Sequence, residues 1–175
     1  MRAQILGFTA VLAAIVSLFA GCPPGGSGLA GIAPATSGTQ VELEGTNLVM
    51  LAPEGGKCYS GSSTAGGKTT LDWRIDVKDD VLVFMHDEPF DMASRKDTYK
   101  AIAGAVDRTY LVDEPDLLEW SWFAKDDPKK TTRDGFLLNF KVGDRVIGFS
   151  APNEEFGSRE AAERAISYAR TLRTK

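Results

Sequence analysis

The residues best suited to chemistry lie around the single histidine of the chain. His86 stands in the run Met85-His86-Asp87-Glu88, and Asp91 follows shortly after. An imidazole beside carboxylates could contact a divalent cation, or act as the base of a hydrolase. Acidic residues after a strand usually form a solvated turn, however. We therefore assign His86, Asp87, Glu88 and Asp91 only as weak candidates for ligand or metal contact, and we predict no metal site and no cofactor.

A catalytic histidine would need a nucleophile, and the sequence offers little. No Gly-x-Ser-x-Gly elbow is present to aim a serine. Cys58 could pair with His86 only by elimination. Lys68 follows Gly66-Gly67 one residue too late for a phosphate-binding loop, so we interpret residues 54–68 as a flexible Gly/Ser/Thr-rich loop. We predict no catalytic residue, and an exported hydrolase that uses His86 with nearby acids or Cys58 remains the alternative.

Two tryptophans form a second group of candidates. Trp120 and Trp122 share one face of a predicted strand, 117–124. Exposed aromatics could stack on a sugar or line an apolar pocket, whereas aromatics between a sheet and a helix belong to the core. Their apolar register favours the core. Binding of an apolar or sugar ligand between helix and sheet is the further alternative.

The elements that would position these residues are mostly strands. Polar and apolar residues alternate along 69–78, where Trp73 and Ile75 share a face with Leu71 and Val77. This pattern predicts a hairpin over 69–86, and similar runs predict strands at 48–51, 106–112, 117–124, 136–142 and 145–150. Two helices complete the prediction. The first is short and lies within 90–105, where Ser94 and Asp97 resemble a capping box and the buried side would hold Tyr99, Ile102 and Ala103. The second covers 158–173, with Ser158 as N-cap and an apolar stripe of Ala162, Ala165, Ile166, Ala169 and Leu172.

The predicted fold class is therefore α+β. We expect a twisted antiparallel sheet of six or seven strands, with the C-terminal helix packed across one face. The run Ile147-Gly148-Phe149-Ser150-Ala151-Pro152, which leads into that helix, resembles the corresponding step of PsbP-like sheet-plus-helix proteins, which include small lipoproteins. The resemblance implies this fold and no catalytic residue.

The first residues of the chain predict its location. Arg2 precedes an apolar run, residues 5–19, which is shorter than the roughly 20 residues of a membrane-spanning helix. The run ends in Ala20-Gly21-Cys22, which resembles the lipobox of bacterial lipoproteins, although Phe19 replaces the usual leucine. This resemblance implies a signal peptide over 1–21, and acyl chains such as palmitate on Cys22. The residue after the cysteine is Pro23, whereas the signal that retains lipoproteins in the inner membrane has an aspartate there. In a cell with two membranes we therefore expect the protein on the outer membrane, facing the periplasm. In a cell with one membrane we expect it on the outer face of the cytoplasmic membrane.

The rest of the chain divides into a tether and one domain. Residues 22–40 are rich in Gly, Pro and Ser and predict a flexible tether, and residues 41–175 suffice for one globular domain. The chain has 20 basic and 24 acidic residues without clusters, which argues against nucleic-acid binding. We therefore expect a lipid-anchored, non-catalytic interaction domain, with the membrane and an envelope protein as partners. The oligomeric state stays open.

Overall fold

The computed structural model describes residues 31–78 and 80–175, without the side chains of Ala65 and Glu154. These residues contain ten strands, two α-helices and a short 3-10 turn. The strands are β1 (Thr39–Leu43), β2 (Leu48–Ala52), β3 (Gly56–Ala65), β4 (Lys68–Val77), β5 (Asp80–His86), β6 (Val106–Asp113), β7 (Leu117–Ala124), β8 (Arg133–Val142), β9 (Arg145–Ser150) and β10 (Arg173–Thr174). The helices are α1 (Met92–Ala101) and α2 (Arg159–Ala169), and the 3-10 turn covers Pro152–Glu154.

Seven strands form one antiparallel sheet in the order β3-β4-β5-β9-β8-β7-β6. Strands β1, β2 and β10 form a separate three-stranded sheet. The α+β class and the large antiparallel sheet are confirmed. The small sheet is not predicted from the sequence, because β1 begins inside the predicted tether and β10 falls at the end of the predicted last helix.

The large sheet is covered on both faces. On one side, here called the α2 face, α2 and the small sheet pack against Trp73, Phe136 and Phe149. On the opposite side, here called the α1 face, Met92 and Tyr99 of α1 pack in a second apolar cluster over β7 and β8. Because side chains alternate along a strand, every paired residue can be assigned to one of these two faces.

The β3–β4 hairpin differs most from the prediction. The Gly/Ser/Thr-rich segment predicted as a loop is a ten-residue strand that pairs with β4 from Gly56 to Ala65. Gly66 and Gly67 both have positive φ, +58° and +79°, as the two central residues of a type I′ turn require. The turn sets the strand register, so Ser and Gly residues of low strand propensity nevertheless join the sheet.

Helix α2 matches the prediction in its position and its buried face. Ser158 is the N-cap and accepts a hydrogen bond from the backbone N–H of Ala161, at 3.3 Å. The predicted apolar stripe is buried: Ala162, Ala165, Ile166, Ala169 and Leu172. The helix ends at Ala169, four residues before the predicted end. The chain then turns, and Arg173 pairs with Val49 of the small sheet.

Helix α1 lies within the predicted segment but is capped differently. The sequence suggested Ser94 as the start of a capping box, whereas Asp91 is the N-cap and accepts from the Ser94 N–H at 3.0 Å. Tyr99 is buried as predicted, while Ile102, also expected on the buried side, is exposed. Ile102 is the C-cap, so the helix ends before it completes another inward-facing turn.

The segment before β1 lies against the body of the protein. The Ala35 N–H donates to the Ser167 carbonyl of α2 at 2.9 Å, and Ile32 packs against the main core. Residues before position 41 therefore already contact the folded domain. The predicted signal peptide and Cys22 lie outside the described residues. Among the described residues, no helix combines the length and the apolarity needed to cross a membrane.

Candidate functional site

His86 lies at the end of β5, on the α1 face of the large sheet. It pairs across the strands with Asp72, and its Nδ1 lies 2.8 Å from Asp72 Oδ1. The ring also makes an edge contact with Phe90, at 5.3 Å between ring centroids. Both side chains of the His86–Asp72 pair are partly open to solvent, at 37% and 28% exposure. The carboxylate therefore orients an imidazole that remains accessible.

The three acids after His86 each bind a different partner. Asp87 accepts two hydrogen bonds from the Arg145 guanidinium, at 3.2 and 2.5 Å. Glu88 pairs with Lys68, and Asp91 caps α1. The four candidates thus diverge instead of converging on one point. Within residues 31–78 and 80–175, no group of three or more His, Cys, Asp or Glu side chains is arranged to hold a metal ion.

The loop that carries these acids is fixed by backbone contacts. The Phe90 N–H donates to Asn139 Oδ1 at 2.8 Å, and the Asn139 amide donates back to the Phe90 carbonyl at 3.0 Å. The loop crosses β9 where Gly148 has no side chain, since a Cβ there would lie 2.7 Å from the Glu88 carbonyl oxygen. The run His86 to Asp91 is therefore a tightly packed crossing between β5 and α1.

Cys58 lies on the opposite face of the sheet from His86. Cys58 pairs with Ile75 of β4, whose side chain is buried on the α2 face. His86 pairs with Asp72 of the same strand, and because Ile75 and Asp72 are three residues apart, their side chains point to opposite faces. Burial, and then the negative charges of Glu44 and Asp76, raise the pKa of the Cys58 thiol to about 11. A thiol on the far face that stays protonated near neutral pH is no nucleophile for His86, so the Cys58–His86 pairing is wrong.

Trp120 and Trp122 lie on the α1 face, as the alternation predicted. Trp120 is fully buried under α1, with its ring centroid 5.1 Å from that of Tyr99. Trp122 is half-buried at the margin of the same cluster, with Arg133 5.6 Å from its ring centroid. Trp120 therefore belongs to the core, as the sequence favoured.

A groove of about 470 Å³ lies nearby, between α1 and the β6–β7 turn. It is open and lined largely by charged side chains, among them Lys96, Lys100, Asp113 and Glu114, and neither tryptophan lines it. Lys96 and Asp113 pair across it. The groove gives no support to an apolar or sugar site beside Trp120 and Trp122.

A buried carboxyl group escaped the sequence analysis. Glu119 of β7 is 1% exposed on the α2 face, and its Oε1 lies 3.5 Å from Arg159 Nε. Burial raises the pKa of Glu119, and the nearby Glu163 and Asp134 raise it further, while Arg159 acts in the opposite direction. Nothing in the run Leu118-Glu119-Trp120 indicates this burial, because it depends on helix α2, whose Arg159 lies against Glu119.

The raised pKa of Glu119 predicts a specific pH dependence of stability. A carboxyl group whose pKa is higher in the folded than in the unfolded chain favours folding when protonated, so its penalty grows as pH rises above the ordinary value of 4.5. Glu119→Gln should therefore be more stable than the wild type at pH 7, and the gap should close as pH falls to about 4.5. Urea unfolding of both chains between pH 4 and 8 measures this gap.

The matched control for this experiment is Glu54→Gln, since Glu54 is exposed and lies in the turn between β2 and β3, away from Glu119 and Arg159. It should change stability little at any pH. The raised pKa of Glu119 would be contradicted if the stability of Glu119→Gln, measured relative to the wild type at the same pH, were lower at pH 7 than at pH 4.5. The Arg159 ion pair would then outweigh burial.

Comparison with protein-family models, with curated proteins and with solved structures finds no match for this chain.

Proposed function

We propose that this protein is an exported lipoprotein, held at a membrane by acyl chains on Cys22. We propose further that its folded domain acts without catalysis, by contact with another component of the cell envelope. The lipobox-like Ala20-Gly21-Cys22 supports the anchor. Pro23 supports an outer-membrane position facing the periplasm in a cell with two membranes, and otherwise the outer face of the cytoplasmic membrane is proposed. The order of hairpins, middle helix and terminal helix also supports a PsbP-like resemblance.

One observation carries the non-catalytic part of the proposal. The side chains best suited to chemistry are already engaged in separate structural contacts: Asp87 with Arg145, Glu88 with Lys68, and Asp91 with the start of α1. A catalytic site needs such groups to face one reacting atom. Here their partners draw them apart along a fixed loop crossing.

The position of the chain before β1 is consistent with an anchored domain. Ile32 packs against the main core, and Ala35 donates a hydrogen bond to α2. Eight residues, 23–30, separate Cys22 from Gly31, and the nine Cα–Cα steps between them would span about 30 Å if fully extended. The proposed anchor would therefore keep the domain close to the membrane, within reach of membrane-associated partners and out of the bulk compartment.

An exported hydrolase is the second candidate, and one contact favours it. The His86 and Asp72 side chains, 2.8 Å apart, are placed relative to each other as the base and the orienting acid of a nucleophile triad would be. In the part of the chain that the structure describes, no Ser, Thr or Cys side chain hydrogen-bonds to His86. The arrangement has two members of a triad and lacks the third.

The variant His86→Ala separates the two candidates. In a strain that lacks the gene, His86→Ala should restore the wild-type phenotype in full, because a contact role does not use the imidazole. His86→Asn, which can still donate to Asp72, serves as the control for local structure, and immunoblotting checks that abundance is unchanged. If both variants behave like the deletion at normal abundance, the non-catalytic proposal fails and the hydrolase takes its place.

A further inference from the structure

Strand β3 is the terminal strand of the large sheet and is paired on one side only. All ten of its residues pair with β4, and among the described residues no other strand pairs with β3. One row of its backbone N–H and C=O groups therefore points outward. Such an edge is a template for another strand, because the added strand satisfies main-chain groups on both sides.

The far half of β3 also projects beyond the rest of the sheet. Strand β4 pairs with β5 only from Asp72 to Val77, so the hairpin from Ser62 to Leu71 continues as a two-stranded arm. Residues 62–64 of this arm are exposed, as are residues 59–61 just before it. The edge is consequently accessible along most of its length.

The opposite edge of the sheet, β6, carries features that protect it. Its pairing with β7 shifts register between Tyr110 and Val112. The strand also carries three charged residues, Asp107, Arg108 and Asp113. Bulges and charges of this kind discourage edge pairing. In contrast, β3 has one charged residue, Lys57, no proline and no register shift. Only one of the two edges is left open to pairing.

We propose that β3 pairs antiparallel with β3 of a second copy of this chain, about a two-fold axis at Gly61. In such a pair, directly opposed residues must lie on the same face of the joined sheet. The axis must therefore lie midway between the two copies of one residue, so that this residue opposes itself. With Gly61 on the axis, Ser60 opposes Ser62 and Tyr59 opposes Ser63. The single charge, Lys57, opposes position 65, which is an alanine. No like charges meet across the pair.

The glycine on the axis supports this arrangement. Gly61 has no positive φ, and a Cβ built on it would meet no atom within 4 Å in its own chain. The fold of one copy therefore gives no reason for a glycine here. Across a two-fold axis the two residues at position 61 would lie directly opposite each other, where the absence of side chains allows the strands to approach.

A charge pair at Ser63 tests the proposal. Ser63 would lie beside Lys57 of the second copy, on the same face, and its hydroxyl lies 3.1 Å from Thr70 in its own hairpin. Ser63→Lys should weaken dimerisation roughly tenfold in Kd, since two symmetric like-charge contacts arise together, whereas Ser63→Glu should leave it equal or tighter. Within one chain, Lys68 and Asp72 flank Ser63 diagonally with opposite charges, so both variants should fold alike.

Sedimentation velocity measures the fraction of dimer over a range of protein concentrations. The full chain is purified in detergent, in a buffer that matches the density of the detergent. The matched controls are Thr109→Lys and Thr109→Glu on the exposed side of β6, which should leave the dimer unchanged. The expected order of association is Ser63→Glu at or above wild type, and wild type above Ser63→Lys. A wild type that stays monomeric at every concentration, equal behaviour of the two Ser63 variants, or a shift with the Thr109 variants instead would overturn the proposal.

Discussion

Cys22→Ser should abolish incorporation of fatty acid into this protein, while Cys58→Ser should leave incorporation unchanged. Acylation at the cysteine of a lipobox requires the thiol, and each buried CH₂ of an attached chain contributes about 0.8 kcal/mol to membrane binding. Cys58 is the matched control, because it is the only other cysteine of the chain. Labelling of growing cells with a fatty-acid analogue, followed by immunoprecipitation, measures the incorporation. Label retained by Cys22→Ser, or lost from Cys58→Ser, would contradict the proposed anchor.

Trp120→Ala should destabilise the domain by about 3–5 kcal/mol, the usual cost of truncating a large buried aromatic side chain. Trp120 is fully buried between β7 and α1, against Tyr99 and Leu137. Trp122 is only half-buried, so Trp122→Ala should reduce the free energy of unfolding by less, about 1–2 kcal/mol. Urea unfolding of the full chain, followed by circular dichroism, measures both losses.

A third variant separates ring packing from hydrogen bonding at the same position. The Trp120 indole N–H finds no hydrogen-bond partner among the residues that the structure describes, 31–78 and 80–175. Trp120→Phe keeps an aromatic ring under α1 and removes this buried donor, so it should lose much less stability than Trp120→Ala. Equal stability of Trp120→Ala and wild type would show that the tryptophan is not a core residue, and would restore the ligand interpretation.

The parts of the fold predicted best from sequence are those with one apolar face. In β4, Trp73 and Ile75 are buried between polar residues, and the alternation alone identified their face. In α2, the helical spacing of Ala162, Ala165 and Ile166 marked the buried stripe correctly. Burial of such a face dominates local energetics, so a periodic pattern carries the information.

The parts that were predicted wrongly or missed depend on partners distant in sequence. Strand β3 lacks an apolar pattern and becomes a strand because its hairpin turn sets it beside β4. The burial of Glu119 was not anticipated, and it depends on α2, whose Arg159 lies 3.5 Å from the carboxylate. In both cases long-range packing, absent from any local window, decides the outcome.

The candidate site shows the same division. The sequence located His86 at a strand end and placed acids after it, and this is correct. The ion partners of those acids, Lys68 and Arg145, lie far along the chain and could not be assigned. Asp91 is the exception, because an acidic residue directly before a helix is a known N-cap signal. The predicted helix start at Ser94 obscured it.

The mass of the N-terminal peptide of the protein purified from its own cells tests the central claim most directly. The account predicts that this peptide begins at Cys22 and carries a diacylglycerol and further acyl mass. A peptide that begins at Met1, or one that contains Cys22 with a free thiol, would contradict the anchor and with it the proposed role at the membrane.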